Sequence, residues 1–291
     1  MRLGSLPPVL EAQAFLKHFV RAVATPCERA EEIIELFSLP NINAIILEDI
    51  WDQTDEDVED EAIVGKLDIK HRHTSSVESL HLLGCCISNF VLEVLLSLPK
   101  QLKSFKFDMV FLPEKTPKNI DDEDDNGYDL DFLPIALDDH VDSLESLVLT
   151  AKTRTFTIEH YFTGPLDLSD FKKIKTLLIG YIFLPEIAWS VVDKDFYLRL
   201  PLNIEELRVY YGGDEYYDFV DRERNWMISI LEKKEERFPN LRLVMASGTD
   251  RPETTESESD DADADDRSFE LSKELAILAQ ELGVEVEIEI R

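Results

Sequence analysis

Basic residues are in short supply in this 291-residue chain: 30 lysines and arginines face 61 aspartates and glutamates, a formal net charge of -31. Affinity for a phosphate backbone comes from lysine and arginine, so the deficit argues against nucleic acid and leaves basic proteins or peptides as charge-matched partners. Cysteine is scarce too. Cys27, Cys85 and Cys86 offer no C-x-x-C spacing, and the neighbours Cys85 and Cys86 point to opposite faces of an extended chain, which fits a reducing cytoplasmic or nuclear setting. No stretch approaches the roughly 20 apolar residues of a membrane span, and Glu11, Gln13 and Lys17 interrupt the apolar run that a secretory signal needs. Catalytic signatures are missing as well: there is no G-x-S-x-G, no G-x-x-x-x-G-K-[ST], no G-x-G-x-x-G after a strand and no H-E-x-x-H. Acidic pairs are so abundant that none stands out as a general acid and base. The expectation is a non-enzymatic protein with no cofactor and no membrane contact.

What the chain does have is a recurring apolar pattern. Val77-Glu78-Ser79-Leu80-His81-Leu82-Leu83-Gly84-Cys85 reads L-x-x-L-x-L-x-x-C, the strand half of a leucine-rich repeat. Val77, Leu80 and Leu82 turn inward, Ser79, His81 and Leu83 turn outward, and Cys85 takes the slot where a small side chain satisfies backbone groups. Ile42-x-x-Ile45-x-Leu47 precedes it, and Leu102-x-x-Phe105-x-Phe107, Leu144-x-x-Leu147-x-Leu149, Ile174-x-x-Leu177-x-Ile179, Ile204-x-x-Leu207-x-Val209 and Leu241-x-x-Val244-x-Ala246 follow. Phe19 to Thr25 reads as a degenerate first strand, and strictly alternating Val284 to Ile290 reads as a half-exposed last one. Leu98-Pro99, Leu200-Pro201 and Phe238-Pro239 lead into copies at nearly the same offset. Helices are expected over Pro26 to Ser38, behind a Thr25-Pro26-Cys27-Glu28 capping box, after Ser88 as a cap, and over Phe269 to Leu282. Together these predict an α/β fold of leucine-rich-repeat solenoid type: one domain over residues 1-291, with a curved parallel sheet and with helices and loops on the convex side.

Acid is concentrated between the repeats, in loops 52-62, 119-131 and 249-268, the last too polar to bury anything and expected to be disordered. Charged insertions of this kind keep a scaffold soluble, and they also attract basic partners. Asp122-Glu123-Asp124-Asp125-Asn126-Gly127 matches the first half of a calcium loop. Asp129 and Leu133 then occupy positions where an apolar residue and a bidentate glutamate belong, so a solvated acidic turn is expected and no metal. His71-Arg72-His73 has no third ligand nearby and reads as surface. Thr255 and Ser257 each have an acid three residues on, the spacing of acidophilic phosphorylation sites.

Strand alternation assigns the concave face. Its charged and aromatic members are Glu48, His81, Lys106, Asp108, Glu206, Arg208 and Tyr210, with Tyr211, Tyr216 and Tyr217 on an adjoining rim; tyrosine and arginine are the residue types that anchor interfaces. Counted over six strands this face is nearly neutral and partly apolar, not an acid ladder.

The run from Phe19 through the Leu-Pro-led copies to the aromatic-rich last repeats resembles the divergent leucine-rich region of fungal F-box proteins. Leu6-Pro7-Pro8-Val9-Leu10 with Phe15 looks like an F-box opening, although Val9 and Ala14 stand where that motif has glutamate and isoleucine. The resemblance implies a protein-recognition scaffold, the substrate-recognition part of a ubiquitin-ligase receptor, with a Skp-type adaptor as a partner where an F-box is present. A second expectation, by likeness to acidic leucine-rich nuclear phosphoproteins, is a chaperone or sink for basic proteins such as histones.

Overall fold

The computed structural model describes residues 19-23, 30-50, 71-87, 89-110, 128-129, 132-152, 162-163, 166-180, 183, 196-211, 219-248 and 271-290. In chain order they form β1 (Phe19–Val23), α1 (Ala30–Phe37), β2 (Ala44–Glu48), β3 (Ser79–Cys85), α2 (Asn89–Ser97), β4 (Ser104–Val110), β5 (Tyr128–Asp129), α3 (Phe132–Ala136), β6 (Ser146–Lys152), β7 (Phe162–Thr163), β8 (Thr176–Gly180), β9 (Glu206–Tyr211), α4 (Phe219–Glu232), α5 (Lys234–Arg237), β10 (Leu243–Gly248), α6 (Lys273–Leu282) and β11 (Glu285–Ile290). The expected capping box at Thr25, the cap at Ser88, Tyr216, Tyr217, Thr255, Ser257, loops 52-62 and 249-268, and most of loop 119-131 lie outside the described residues.

The chain divides into two compact units, one of Met1–Val110 with Ile135–Leu144 and the other of Phe111–Pro134 with Glu145–Arg291. In unit 1 the strands run β1-β2-β3-β4, and in unit 2 they run β6-β8-β9-β10-β11, every adjacent pair parallel. Unit 2 also holds the short parallel pair β5 and β7. The protein is therefore α/β with its long strands all in parallel pairings. Parallel strands need a crossover connection between them, and α1, α2, α4 with α5, and α6 are among those connecting segments.

The strands repeat because three apolar positions repeat. Register aligns Ile45, Leu80 and Phe105 across unit 1, and Leu147, Leu177, Leu207, Val244 and Val286 across unit 2. All but Val286 are 0% exposed. Two residues on, Leu47, Leu82 and Phe107 form a second buried column in unit 1, as Leu149, Ile179, Val209 and Ala246 do in unit 2. The first position of the copies at Ile42, Val77, Leu102, Leu144, Ile174, Ile204 and Leu241 is buried as well.

One backbone junction recurs where strands begin. The carbonyl just after the first apolar position accepts two successive N–H groups of the next strand. Asn43 takes those of Glu78 and Ser79 at 2.8 and 3.0 Å, and Glu78 those of Lys103 and Ser104 at 2.8 and 3.0 Å. In unit 2, Glu145 serves Lys175 and Thr176, Lys175 serves Glu205 and Glu206, and Glu205 serves Arg242 and Leu243, all between 2.7 and 3.2 Å. Arg242 then accepts the N–H of Glu285 at 2.8 Å. Each junction satisfies donors that would otherwise be orphaned at a strand start, and it fixes the register of the next strand.

Two glycines set local geometry. Gly84 (φ +64°) makes a bulge between Leu83 and Cys85, and a Cβ there would come within 2.9 Å of the Asp49 carboxylate. Past the bulge Cys85 pairs with Met109 and turns into the core, where it is 0% exposed. Gly283 (φ +63°) ends α6, its N–H reaching the carbonyls of Ala279 and Gln280, while Ser272 caps the other end by accepting the Leu275 N–H at 3.2 Å.

Candidate functional site

Because parallel register keeps side chains in rows, the outward positions of each sheet form a definite surface. In unit 1 one row holds Ile46, His81 and Lys106 and the next holds Glu48, Leu83 and Asp108. Ser79 Oγ lies 3.2 Å from His81 Nε2. Burial, and secondarily the Lys106 ammonium, hold the His81 imidazole below its usual 6.5, so it is neutral at pH 7. Asp108 is only 8% exposed, because β4 runs buried from Phe107 through Met109, and it contributes less surface than strand alternation alone predicts.

In unit 2, Glu206, Arg208 and Tyr210 stand outward on β9, all partly exposed. Glu206 accepts from Arg208 at 3.1 Å and, through its other oxygen, from Arg242 at 2.8 Å, so a single carboxylate orients two guanidinium groups. Tyr211 departs from its expected place on the rim. As the residue after Tyr210 it faces the interior, is 9% exposed, and its hydroxyl accepts the Trp226 indole N–H at 3.0 Å. It packs on α4 of its own unit.

Register also extends the unit 2 face beyond the six strands counted from sequence. Glu285, Glu287 and Glu289 of β11 align through Leu243, Met245 and Ser247 with Glu206, Arg208 and Tyr210. The near-neutral face therefore becomes acidic at its β11 end. Three carboxylates recur there at every second residue.

Two further features carry chemistry that spacing alone did not disclose. The residue after the first apolar position alternates in charge within each unit: Glu78 and Lys103, then Glu145, Lys175, Glu205 and Arg242. Lys103–Glu78 at 2.9 Å, Lys175–Glu205 at 3.8 Å and Arg242–Glu205 at 3.5 Å are ion pairs between neighbouring copies. The signal was legible in the repeat alignment, one column over from the leucines. The second feature is His140, fully buried in a 3-10 turn (Asp138–His140); flanked by Asp138 and Asp139, it reads in sequence as part of a solvated acidic stretch.

Reactive groups are few on these surfaces. Cys85 sits with Sγ 3.7 Å from the Leu47 carbonyl and 3.5 Å from that of Leu83. Burial pushes its thiol up to about 12; a hydrogen bond with the Ile50 backbone acts the other way, and Asp49 and Asp108 add to the rise. The thiolate that a nucleophile or metal ligand requires is suppressed there. His71, Arg72 and His73 are exposed, as a surface segment is expected to be. Among the described residues, no three histidine, cysteine, aspartate or glutamate side chains gather as a metal site, and no helix is long and apolar enough to cross a membrane.

The site thus consists of two sheet faces with mixed charge and aromatic character, on an α/β scaffold of parallel strands. No family model, curated protein or solved structure matches the chain.

Proposed function

We propose that the chain is a divergent leucine-rich-repeat solenoid serving as a non-enzymatic protein-recognition scaffold. The outward faces of its sheets bind the partner, as in the substrate-recognition part of an F-box type ubiquitin-ligase receptor. The observation that carries this reading is the strand junction, in which one carbonyl serves two N–H groups of the next copy five times with the apolar columns in register. Such an array grows by addition and leaves every second strand residue free to vary, which suits recognition better than chemistry. Arg208, clamped on Glu206, and Tyr210 supply the anchor residue types, and Lys106 and His81 are outward members of the unit 1 face. The cytoplasm or nucleus is the proposed setting, and a Skp-type adaptor is a candidate second partner.

A second reading, an acidic chaperone or sink for histones and other basic proteins, is favoured by the row Glu285, Glu287 and Glu289 together with the net charge of -31. The two differ in how they respond to salt, which screens exposed charge strongly and packed interfaces weakly. In affinity capture with the full chain, the recognition reading predicts a discrete partner that survives high salt and is lost from a Lys106→Glu, Arg208→Glu variant. A Skp-type adaptor in the retained fraction would tie the chain to ubiquitin ligation. Histones that elute as salt rises, and that are lost from a Glu285→Gln, Glu287→Gln, Glu289→Gln variant, would overturn recognition in favour of the sink.

A further inference from the structure

We infer that His140 is a pH-sensitive latch that fastens the segment Ile135–Leu144 to the rest of unit 1. The inference stands on geometry within that unit and is independent of what the sheet faces bind. His140 is 0% exposed, and both ring nitrogens are engaged by backbone. Nε2 lies 2.7 Å from the Leu96 carbonyl, and Nδ1 lies 3.3 Å from the Leu102 N–H. A carbonyl can only accept and an amide N–H can only donate, so the imidazole must be neutral, with its proton on Nε2 and its lone pair on Nδ1. The ring therefore bridges the end of α2 and the start of the β4 copy. Ser143 completes the fastening, its hydroxyl donating to the Leu102 carbonyl at 2.9 Å, while the N–H groups of Ser143 and Leu144 return to the His140 carbonyl at 2.9 Å each.

Protonation undoes this arrangement at one atom. A proton added to Nδ1 removes the acceptor for the Leu102 N–H, sets donor against donor at 3.3 Å, and leaves a cation in a site without solvent. The charged and polar groups around the ring divide. Burial holds the imidazole below its ordinary 6.5, the Leu96 carbonyl and Asp139 act in the opposite direction, and His73 adds to the burial effect. A base whose folded pKa lies below its unfolded one contributes stability that is fully present above the unfolded value of 6.5 and is lost as pH falls through the folded value. His73 Nε2 lies 3.3 Å from Asp139 Oδ2, in a contact exposed to solvent on both sides.

The test is amide hydrogen exchange on the full chain at about pH 7.5 and about pH 5.5, corrected for intrinsic rates. The latch predicts that residues 96-102 and 135-144 together lose protection at the lower pH, by up to about tenfold, while β8, β9 and β10 of unit 2 keep theirs. A His140→Gln variant should show those two stretches equally open at both pH values, and a His73→Gln variant should retain the full drop. Imidazole nitrogen shifts of the unmodified chain give a measurement that does not depend on a variant folding: native His140 should hold the neutral Nε2–H tautomer at about pH 7.5 and still hold it as protection begins to fall below pH 6.5. Unchanged protection across this range, an undiminished drop in His140→Gln, or a native His140 that is already charged or holds the Nδ1–H tautomer at about pH 7.5 would each overturn the latch.

Discussion

Beneath their faces, unit 1 and unit 2 are built alike: apolar columns at the same three positions, the same bifurcated carbonyl at two junctions of unit 1 and three of unit 2, and the same alternation of charge beside it. On the faces they differ. Unit 1 presents His81 and Lys106 beside Glu48, with Asp108 largely covered, whereas unit 2 presents Glu206, Arg208 and Tyr210 and runs out into the three glutamates of β11. The lesson is a division of labour along each strand. Inward residues and the junction carbonyl set register and stability and admit little besides Leu, Ile, Val and Phe. Outward residues carry almost none of that load, so each unit is free to hold different chemistry on one scaffold.

If the units share one mode of construction, equivalent core deletions should be equally damaging in both. Leu80→Ala in unit 1 and Leu207→Ala in unit 2, both from fully buried sites, should each lose about 2–5 kcal/mol in denaturant unfolding. A large loss in one and a small one in the other would break the parallel. A smaller effect sharpens it: Lys103→Glu and Lys175→Glu each place like charges beside Glu78 and Glu205, and since these pairs are exposed, each should cost only about 0.2–1 kcal/mol, less at high salt. A cost of several kcal/mol would mean that the charged column, not the leucines, specifies register.

How much of this could be read from sequence follows the same division. The strands were legible because period-two alternation and the L-x-x-L-x-L spacing survive in every copy, even where Phe105 and Phe107 replace leucine. The helix around α6 was legible from the helical pattern of Phe269 to Leu282, while its caps, Ser272 and Gly283, came from the structure. α4 was not singled out, because its buried Trp226, Met227, Ile230 and Leu231 follow the charged run Asp221-Arg222-Glu223-Arg224. Tyr211 was misplaced because it was grouped with the aromatic cluster that follows β9, whereas alternation from Tyr210 sends it inward to Trp226. His140 depends on contacts with Leu96 and Leu102, about 40 residues earlier in the chain, which no local pattern encodes. The β11 glutamates were visible as alternation, but their alignment with Arg208 and Tyr210 is a property of pairing order, not of spacing.

The central claim is that successive copies lie side by side in one register, and a distance between spin labels across unit 2 tests it most directly. Ser146, Thr176, Glu206, Leu243 and Glu285 occupy one row, so Ser146 and Glu285 are four strand steps of about 4.8 Å apart, roughly 19 Å between backbones. With Ser146→Cys and Glu285→Cys labelled in a Cys27→Ser, Cys86→Ser background, pulsed electron resonance should return a single narrow population near that spacing, broadened only by the label arms. A maximum beyond about 30 Å, or a spread with no defined peak, would contradict the shared register.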